Sequence, residues 1–217
     1  MDFYYGTLSG NSARCAFALA EAGVAYTPHP ITAPQGENRE APYLALNPLG
    51  KVPALVDGDV RLWESNAINW YIAEKHPAAR LLPASIAGRA SVQRWLMFQA
   101  AHVSPACAAF YRRTNQRVRA VWKADSNDQQ FAFGRSELGR YLPVLDQALA
   151  GRDWLAGELS LADIAYAPHL AMIVKGNDQG DDGFDFAPYP RVQAWLRRVW
   201  ARPAWKKAVE MSLEGAV

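Results

Sequence analysis

The sequence predicts a small α/β domain followed by an all-α helical bundle domain. Three observations predict it. Short apolar and aromatic runs alternate with helical stripes as far as residue 77, strand signals vanish beyond residue 86, and the remainder keeps the i, i+3, i+4, i+7 rhythm of amphipathic helices. The 217 residues, 50% of them hydrophobic and 12% aromatic, supply a core for both parts and exclude a disordered or fibrous chain.

Phe3-Tyr4-Tyr5 suits a buried strand, and the turn-prone Ser9-Gly10-Asn11-Ser12 leads into Cys15, Ala16, Leu19 and Ala20 at helical spacing, with Gly23 as the stop. Val24-Ala25-Tyr26 reads as a second strand. After a polar loop over 35–40 and the apolar piece Tyr43-Leu44-Ala45-Leu46, two β-type runs flank Asp57-Gly58-Asp59, which is a hairpin signal. Ile68, Tyr71 and Ile72 then form a helical stripe that His76-Pro77 ends.

The order β-α-β-α-β-β-α thus fills residues 1–77, residues 78–85 read as a linker, and residues 86–217 as helical. Val92, Trp95, Leu96, Val103, Ala106 and Phe110 predict one long helix, kinked where Pro105 removes a backbone donor. Further helices are expected over 131–149, 161–174 and 191–201.

The formal net charge is +2, and the basic residues are spread along the chain, which leaves no footprint for a nucleic-acid backbone. The densest basic run, Arg112, Arg113, Arg117, Arg119 and Lys123, reads as a solvated helix face. Cys15 and Cys107 form no CxxC pair, so neither a zinc site nor a dithiol is indicated, and a reducing compartment fits. The opening residues lack a basic segment, and no apolar run approaches the roughly 18 residues of a membrane span; a soluble, cytosolic protein is expected.

Two motifs point to binding. In Asn47-Pro48-Leu49-Gly50-Lys51-Val52-Pro53-Ala54-Leu55, proline opens a strand and donates nothing to the ladder. A cis Val52-Pro53 bond would turn the amide and carbonyl of Val52 toward a cleft, where they can pair with the main chain of a bound peptide. Glu64-Ser65-Asn66 lies at a helix start, where free amides and the dipole favour a carboxylate and Ser65 adds a hydroxyl as N-cap. With Glu64 as counter-charge, this corner suits an amino-acid zwitterion.

Together with the Tyr-Tyr strand and Ser9-Gly10-Asn11-Ser12-Ala13-Arg14, these motifs resemble the thioredoxin-like domain of the glutathione S-transferase superfamily. Ser160-Leu161-Ala162-Asp163-Ile164-Ala165 resembles that family's helical-domain capping box, so the resemblance spans nearly the whole chain. On physical grounds Ser160 is expected to accept from the Asp163 amide while the Asp163 carboxylate reaches back to the Ser160 amide.

The resemblance implies glutathione as co-substrate, with Lys51, Val52 and Pro53 at its cysteinyl and glycyl part and Glu64 and Ser65 at its γ-glutamyl end. A thiol with a pKa near ~8.5 needs a donor aimed at sulfur to become a thiolate at neutral pH. Ser9, Asn11 and Ser12 are the candidates. Ser9 falls where phi-like and zeta-like members carry their serine. Asn11 falls where beta-class members carry cysteine, and asparagine there is similar to relatives with disulfide reductase activity.

A hydrophobic electrophile is expected between the domains, where Leu8, Trp95, Phe98, His102, Phe110 and Tyr111 are candidate lining. His102 and Cys107, five apart on a helix, do not face each other. The resemblance further implies a homodimer, no metal, and transferase chemistry. Isomerisation, disulfide or peroxide reduction, and turnover-free carriage of glutathione are its alternatives.

Overall fold

The computed structural model describes residues 1–122, 127–176 and 183–214. Strands β1 (Asp2–Tyr5), β2 (Thr27–Pro30), β3 (Ala54–Asp57) and β4 (Val60–Trp63) form one sheet in the order β2-β1-β3-β4, with β1 and β2 parallel and the other pairs antiparallel. The hairpin turns at Gly58, whose φ of 60° favours glycine.

β2 lies beyond the expected Val24-Ala25-Tyr26 and contains two prolines. Thr27 and Ile31 donate to the carbonyls of Met1 and Tyr5 at 3.0 and 2.7 Å, so every second amide faces β1. Pro28 and Pro30 occupy the alternate positions, whose amides would point to the open edge. There proline costs nothing, and it also blunts the edge.

Helix α1 (Gly10–Glu21) ends before Gly23, which has φ of 63°. The one-turn α2 (Ala41–Leu44) and helix α3 (Ser65–Lys75) complete the first part. The stretch expected as linker begins with a 3₁₀ turn at Pro77–Ala79, and Leu81 in it is buried, with its carbonyl accepting from Leu161 at 3.0 Å.

The long kinked helix is two helices, α4 (Ile86–Phe98) and α5 (Ser104–Thr114), joined by one π-helical turn, Gln99–Val103. The Ser104 amide bonds back to the Gln99 carbonyl, five residues earlier. This wider turn stands immediately before Pro105, where an α-helical ladder would lack a donor. One extra residue in the turn rotates everything after it by about 100° relative to an uninterrupted helix.

Helices α6 (Gln116–Trp122), α7 (Asp128–Ala148), α8 (Leu161–Gly176), α9 (Pro190–Trp200) and α10 (Pro203–Ser212) follow. α10 has no counterpart among the expected helices, and α6 falls in the basic run that reads as a solvated helix face. Both have start signals, since Asn115 Oδ1 accepts from the Val118 amide at 3.2 Å and Pro203 opens the first turn of α10. Lys123 of the basic run lies outside the described residues. No helix among the described residues is long and apolar enough to cross a membrane.

α8 is buried from Leu161 to Ile173 and packs against α1, α4 and α5, while α1 also packs against α3 and α10. Trp205 of α10 lies edge-on to Phe17 at 5.7 Å, and Arg202 forks onto the Glu21 carboxylate. Helix α10 is thereby folded back onto the first helix.

The capping box differs from expectation in one half. Asp163 does accept from the Ser160 amide, at 3.0 Å, but the Ser160 hydroxyl accepts from the Ala162 amide and donates to Asp163 instead of capping its amide. The Asp163 amide bonds the Ser160 carbonyl. Asp163 also accepts from the Leu155 amide at 3.0 Å and from Trp195 Nε1 at 2.9 Å, so one buried carboxylate ties α8 to the preceding loop and to α9.

Asp163→Ala strands these donors in the core and is expected to cost about 2–4 kcal/mol in urea unfolding, more than a lost cap alone. Burial pushes the Asp163 carboxyl up to about 6 against the pull of its donors. The folded chain therefore holds this proton to higher pH than the unfolded chain, where aspartate titrates near ~3.9. Its contribution is complete below pH ~4 and declines as pH rises through about 6. Asp163→Asn is expected to flatten the stability profile across that interval; an unaltered slope would contradict the assignment.

Candidate active site

The β1–α1 loop brings Leu8, with φ of 54°, and Ser9 to the head of α1. Ser9 is the N-cap, extended at φ −111°, and its Oγ accepts from the Ser12 amide at 3.2 Å. The hydroxyl proton of Ser9 is thus left to donate outward. Asn11 is exposed on the first turn, whereas Ser12 is buried and its Oγ accepts from the Gly6 amide at 3.1 Å. Ser12 is removed from the candidate sulfur donors, because its hydroxyl faces inward to hold the loop.

A cleft of about 490 Å³ opens above this turn, lined by Leu8, Ser9, Gly10, Asn11, Lys51 and Val52, by Asn38 and Arg39, and from the helical domain by Tyr111, Arg112, Val118 and His169. The Val52-Pro53 bond is cis. Lys51 is anchored through its carbonyl, which accepts from Tyr43 Oη and Asn47 Nδ2 at 2.6 Å each. Pro53 is buried behind Val52 and is not among the residues that line this cleft.

Glu64 and Ser65 line a second cavity of about 730 Å³, with Asn11, Arg14, Asn66, Trp70 and Met97 among its walls. Here the expected N-cap shifts by one residue. Glu64 is the cap, at φ 69° and ψ 109°, and Ser65 is the first helical residue. The first α3 ladder bond runs from the Ile68 amide to the Glu64 carbonyl, so the amides of Ser65, Asn66 and Ala67 have no acceptor within the helix. A non-glycine residue held at such a φ costs about 1–3 kcal/mol and marks a functional turn more often than a plain one. The glutathione-contact candidates are thus divided between two cavities that meet at Asn11.

A wall of polar side chains separates them. Buried Arg14 donates to Asn66 Oδ1 at 3.1 Å and Gln99 Oε1 at 2.6 Å and stands 3.0 Å from His169 Nδ1, while His169 Nε2 lies 3.1 Å from Ser104 Oγ. Desolvation lowers Arg14 to about 10, which leaves it protonated at neutral pH, and burial beside this cation keeps His169 neutral. Cys15 and Cys107 are both buried, and burial raises both thiols; Cys15 donates to the Ser65 carbonyl at 3.3 Å.

Of the electrophile-pocket candidates, Leu8 and Tyr111 line the first cleft. Burial pushes the Tyr111 phenol up to about 12, so it remains a proton donor. Phe110 is wholly buried and stacks on Phe131 at 5.0 Å, which makes it core. Phe98 and His102 pack on Tyr141 of α7, each at 5.5 Å, away from both cavities, and Trp95 is buried with Nε1 on the Leu155 carbonyl at 3.1 Å. Sequence reasoning missed Asn38, Arg39, Arg112, Val118 and His169. Each stands outside a motif, and only the folded chain brings them to one cleft.

Residues 2–74 match the family model of the glutathione S-transferase N-terminal domain, and residues 118–198 that of the C-terminal domain. The chain is 32% identical over 210 residues to glutathione S-transferase F9 of Arabidopsis thaliana, covering 94% of both chains. Among solved structures, glutathione transferase F2 from Populus trichocarpa superposes with a TM-score of 0.86 at 27% identity, covering 97% of both chains. A glutathione transferase from Burkholderia graminis, solved with two glutathione molecules per subunit, superposes at 0.83 with 27% identity, covering 99% of this chain and 90% of that one.

The head of α1 depends on a close approach at Gly10. A Cβ there would stand 2.8 Å from Met172 Cε and 2.9 Å from His169 Cε1, and His169 is held by Arg14 and Ser104. Gly10→Ala is expected to cost about 1–3 kcal/mol in chemical denaturation. Pairing it with Met172→Ala should recover part of that loss; an additive double variant would place the strain elsewhere.

Proposed function

The chain belongs to the glutathione S-transferase family, and we propose that it binds glutathione across the two cavities and transfers it, as the thiolate, to an electrophilic small molecule. The observation that carries this is the head of α1: a serine N-cap with a free hydroxyl proton opens into the cleft that also holds the cis-proline turn. Lys51, Asn38 and Arg39 suit the glycyl carboxylate, and the backbone of Val52 suits the cysteinyl main chain. The free amides at the start of α3, with Ser65 Oγ and the Glu64 carboxylate, suit the γ-glutamyl zwitterion.

Ser9 is our choice for the sulfur donor, with exposed Asn11 beside it. Its hydroxyl and the positive end of α1 favour the thiolate over the thiol. The sulfur then attacks the electrophilic carbon, a C–S bond forms, and the leaving group departs with its electron pair. Neither cysteine lines the cleft, so the chemistry rests on glutathione's own sulfur. An isomerase or reductase would start from the same thiolate.

We divide the chain into a glutathione-binding domain over 1–77, a linker over 78–85 and an electrophile-binding domain over 86–217, and read it as a cytosolic homodimer. Met97 on the wall of the second cavity and Trp63 at the end of β4, 52% and 39% exposed, supply apolar surface for a partner subunit.

Ser9→Ala is expected to move the thiol of bound glutathione back toward ~8.5 and to lower kcat/KM at neutral pH by roughly 10²–10³, with little change in glutathione affinity. Ultraviolet titration of the bound thiolate checks this, and an unmoved midpoint would leave the activation to Asn11 or the backbone. Glu64→Ala and Ser65→Ala are each expected to weaken glutathione by roughly tenfold or more in calorimetry. Parent-like binding in both would disprove the γ-glutamyl assignment.

A further inference from the structure

The cleft beside Ser9 has a charge imbalance that glutathione does not remove. Arg39, Lys51 and Arg112 line it, with no aspartate or glutamate among the described lining residues. Glutathione as its thiolate carries a net charge of about −2, and its γ-glutamyl zwitterion is accommodated at the start of α3, so the sulfur and the glycyl carboxylate enter this cleft. Two of the three cations are thereby balanced. Lys51 and Arg39 come from the α/β domain, on the side of the glycyl carboxylate; Arg112 comes from the last turn of α5, on the opposite wall.

Arg112 is also set apart from its neighbour. Arg113 pairs with Asp128 and lies over the Phe131 ring at 4.8 Å, which turns it toward α7. Either arginine serves the negative end of α5 equally well, but only Arg112 lines the cleft. The same cleft is lined by Leu8, Val118 and the protonated phenol of Tyr111, which offer an apolar bed with one donor.

We propose that the cleft selects electrophiles that carry an anionic group, a carboxylate above all, on an apolar body, with Arg112 as the residue that recognises the anion. This rests on the transferase reading of the same cleft. The electrophile's body lies against Leu8 and Val118 and its carboxylate faces Arg112. The thiolate displaces a leaving group such as chloride from the electrophilic carbon: the C–S bond forms, the C–Cl bond breaks, and chloride leaves with the bonding pair. The carboxylate is not consumed.

The test compares a chlorodinitrobenzoate with its methyl ester, each rate divided by the uncatalysed rate with glutathione. The parent is expected to favour the acid through a lower KM, and the preference should shrink with added salt. Arg112→Ala should lower kcat/KM for the acid roughly three- to fivefold more than for the ester, the range for a charge pair left partly in water. Arg112→Glu should enlarge that difference. Equal losses for acid and ester, together with weaker glutathione binding in calorimetry, would mean that Arg112 serves glutathione, and the proposal falls. A parent that turns over the ester without preferring the acid overturns the proposal but leaves the transferase reading standing. A parent that binds glutathione and conjugates neither overturns both.

Discussion

Arg14 lies where α1, α3, the π turn and α8 meet, and its guanidinium has no carboxylate partner among the described residues. Asn66 holds it from α3, Gln99 from the π turn and His169 from α8, all neutral groups. Burying an uncompensated cation is expensive, and here both terminal nitrogens of the guanidinium are met by acceptors while Nε has none among the described residues. The joint between the sheet-bearing domain and the helical domain is therefore built round those acceptors, and both cavities take their shared wall from it. A cation that burial has not neutralised also adds positive potential to the head of α1, in the same direction as the helix dipole.

The π turn is a second device at the same joint. An α-helical turn before Pro105 would lack one ladder donor, and the wider turn takes its place. It also sets Gln99 toward Arg14 and Ser104 toward His169, while Phe98 and His102 go to the opposite side, against Tyr141. A single extra residue thus decides which side chains of the long helical segment reach the cavities. Gly10 is the complementary device on α1, since its missing Cβ is what allows the ring of His169 to approach the Ser9 turn.

The site itself combines cheap and costly elements. Ser9 is an ordinary N-cap through its oxygen and keeps its proton for the cleft, so the sulfur donor we propose is held in place by the helix it caps. Glu64 is the costly element. Its positive φ is maintained by β4 on one side and α3 on the other, and it exposes the first amides of α3 to the second cavity. The charge in the first cleft is distributed just as unevenly, with cations from both domains and no acid among its described lining residues.

Local sequence determined a good deal. The hairpin at Asp57-Gly58-Asp59, the helix stop at Gly23, the Val52-Pro53 and Glu64-Ser65 motifs, and the division into an α/β part and a helical part were all legible, because turn chemistry and apolar periodicity act within a few residues. The edge strand was misplaced because the prolines of Thr27–Pro30 read as breakers until one knows that their missing amides face away from β1. Tertiary structure decided the rest. Ser12 and Phe110 left the site because the fold buried them, His169 and Arg112 entered it from helices more than a hundred residues from Val52 or from a run that reads as solvent-facing, and Asp163 proved to be a hub between α8, α9 and the loop at Leu155 more than a cap. The physical reason is the same in each case: periodicity tells which residues are apolar along one element, but which of them meet across two elements depends on turn widths, close approaches and buried charges that no single stretch of sequence contains.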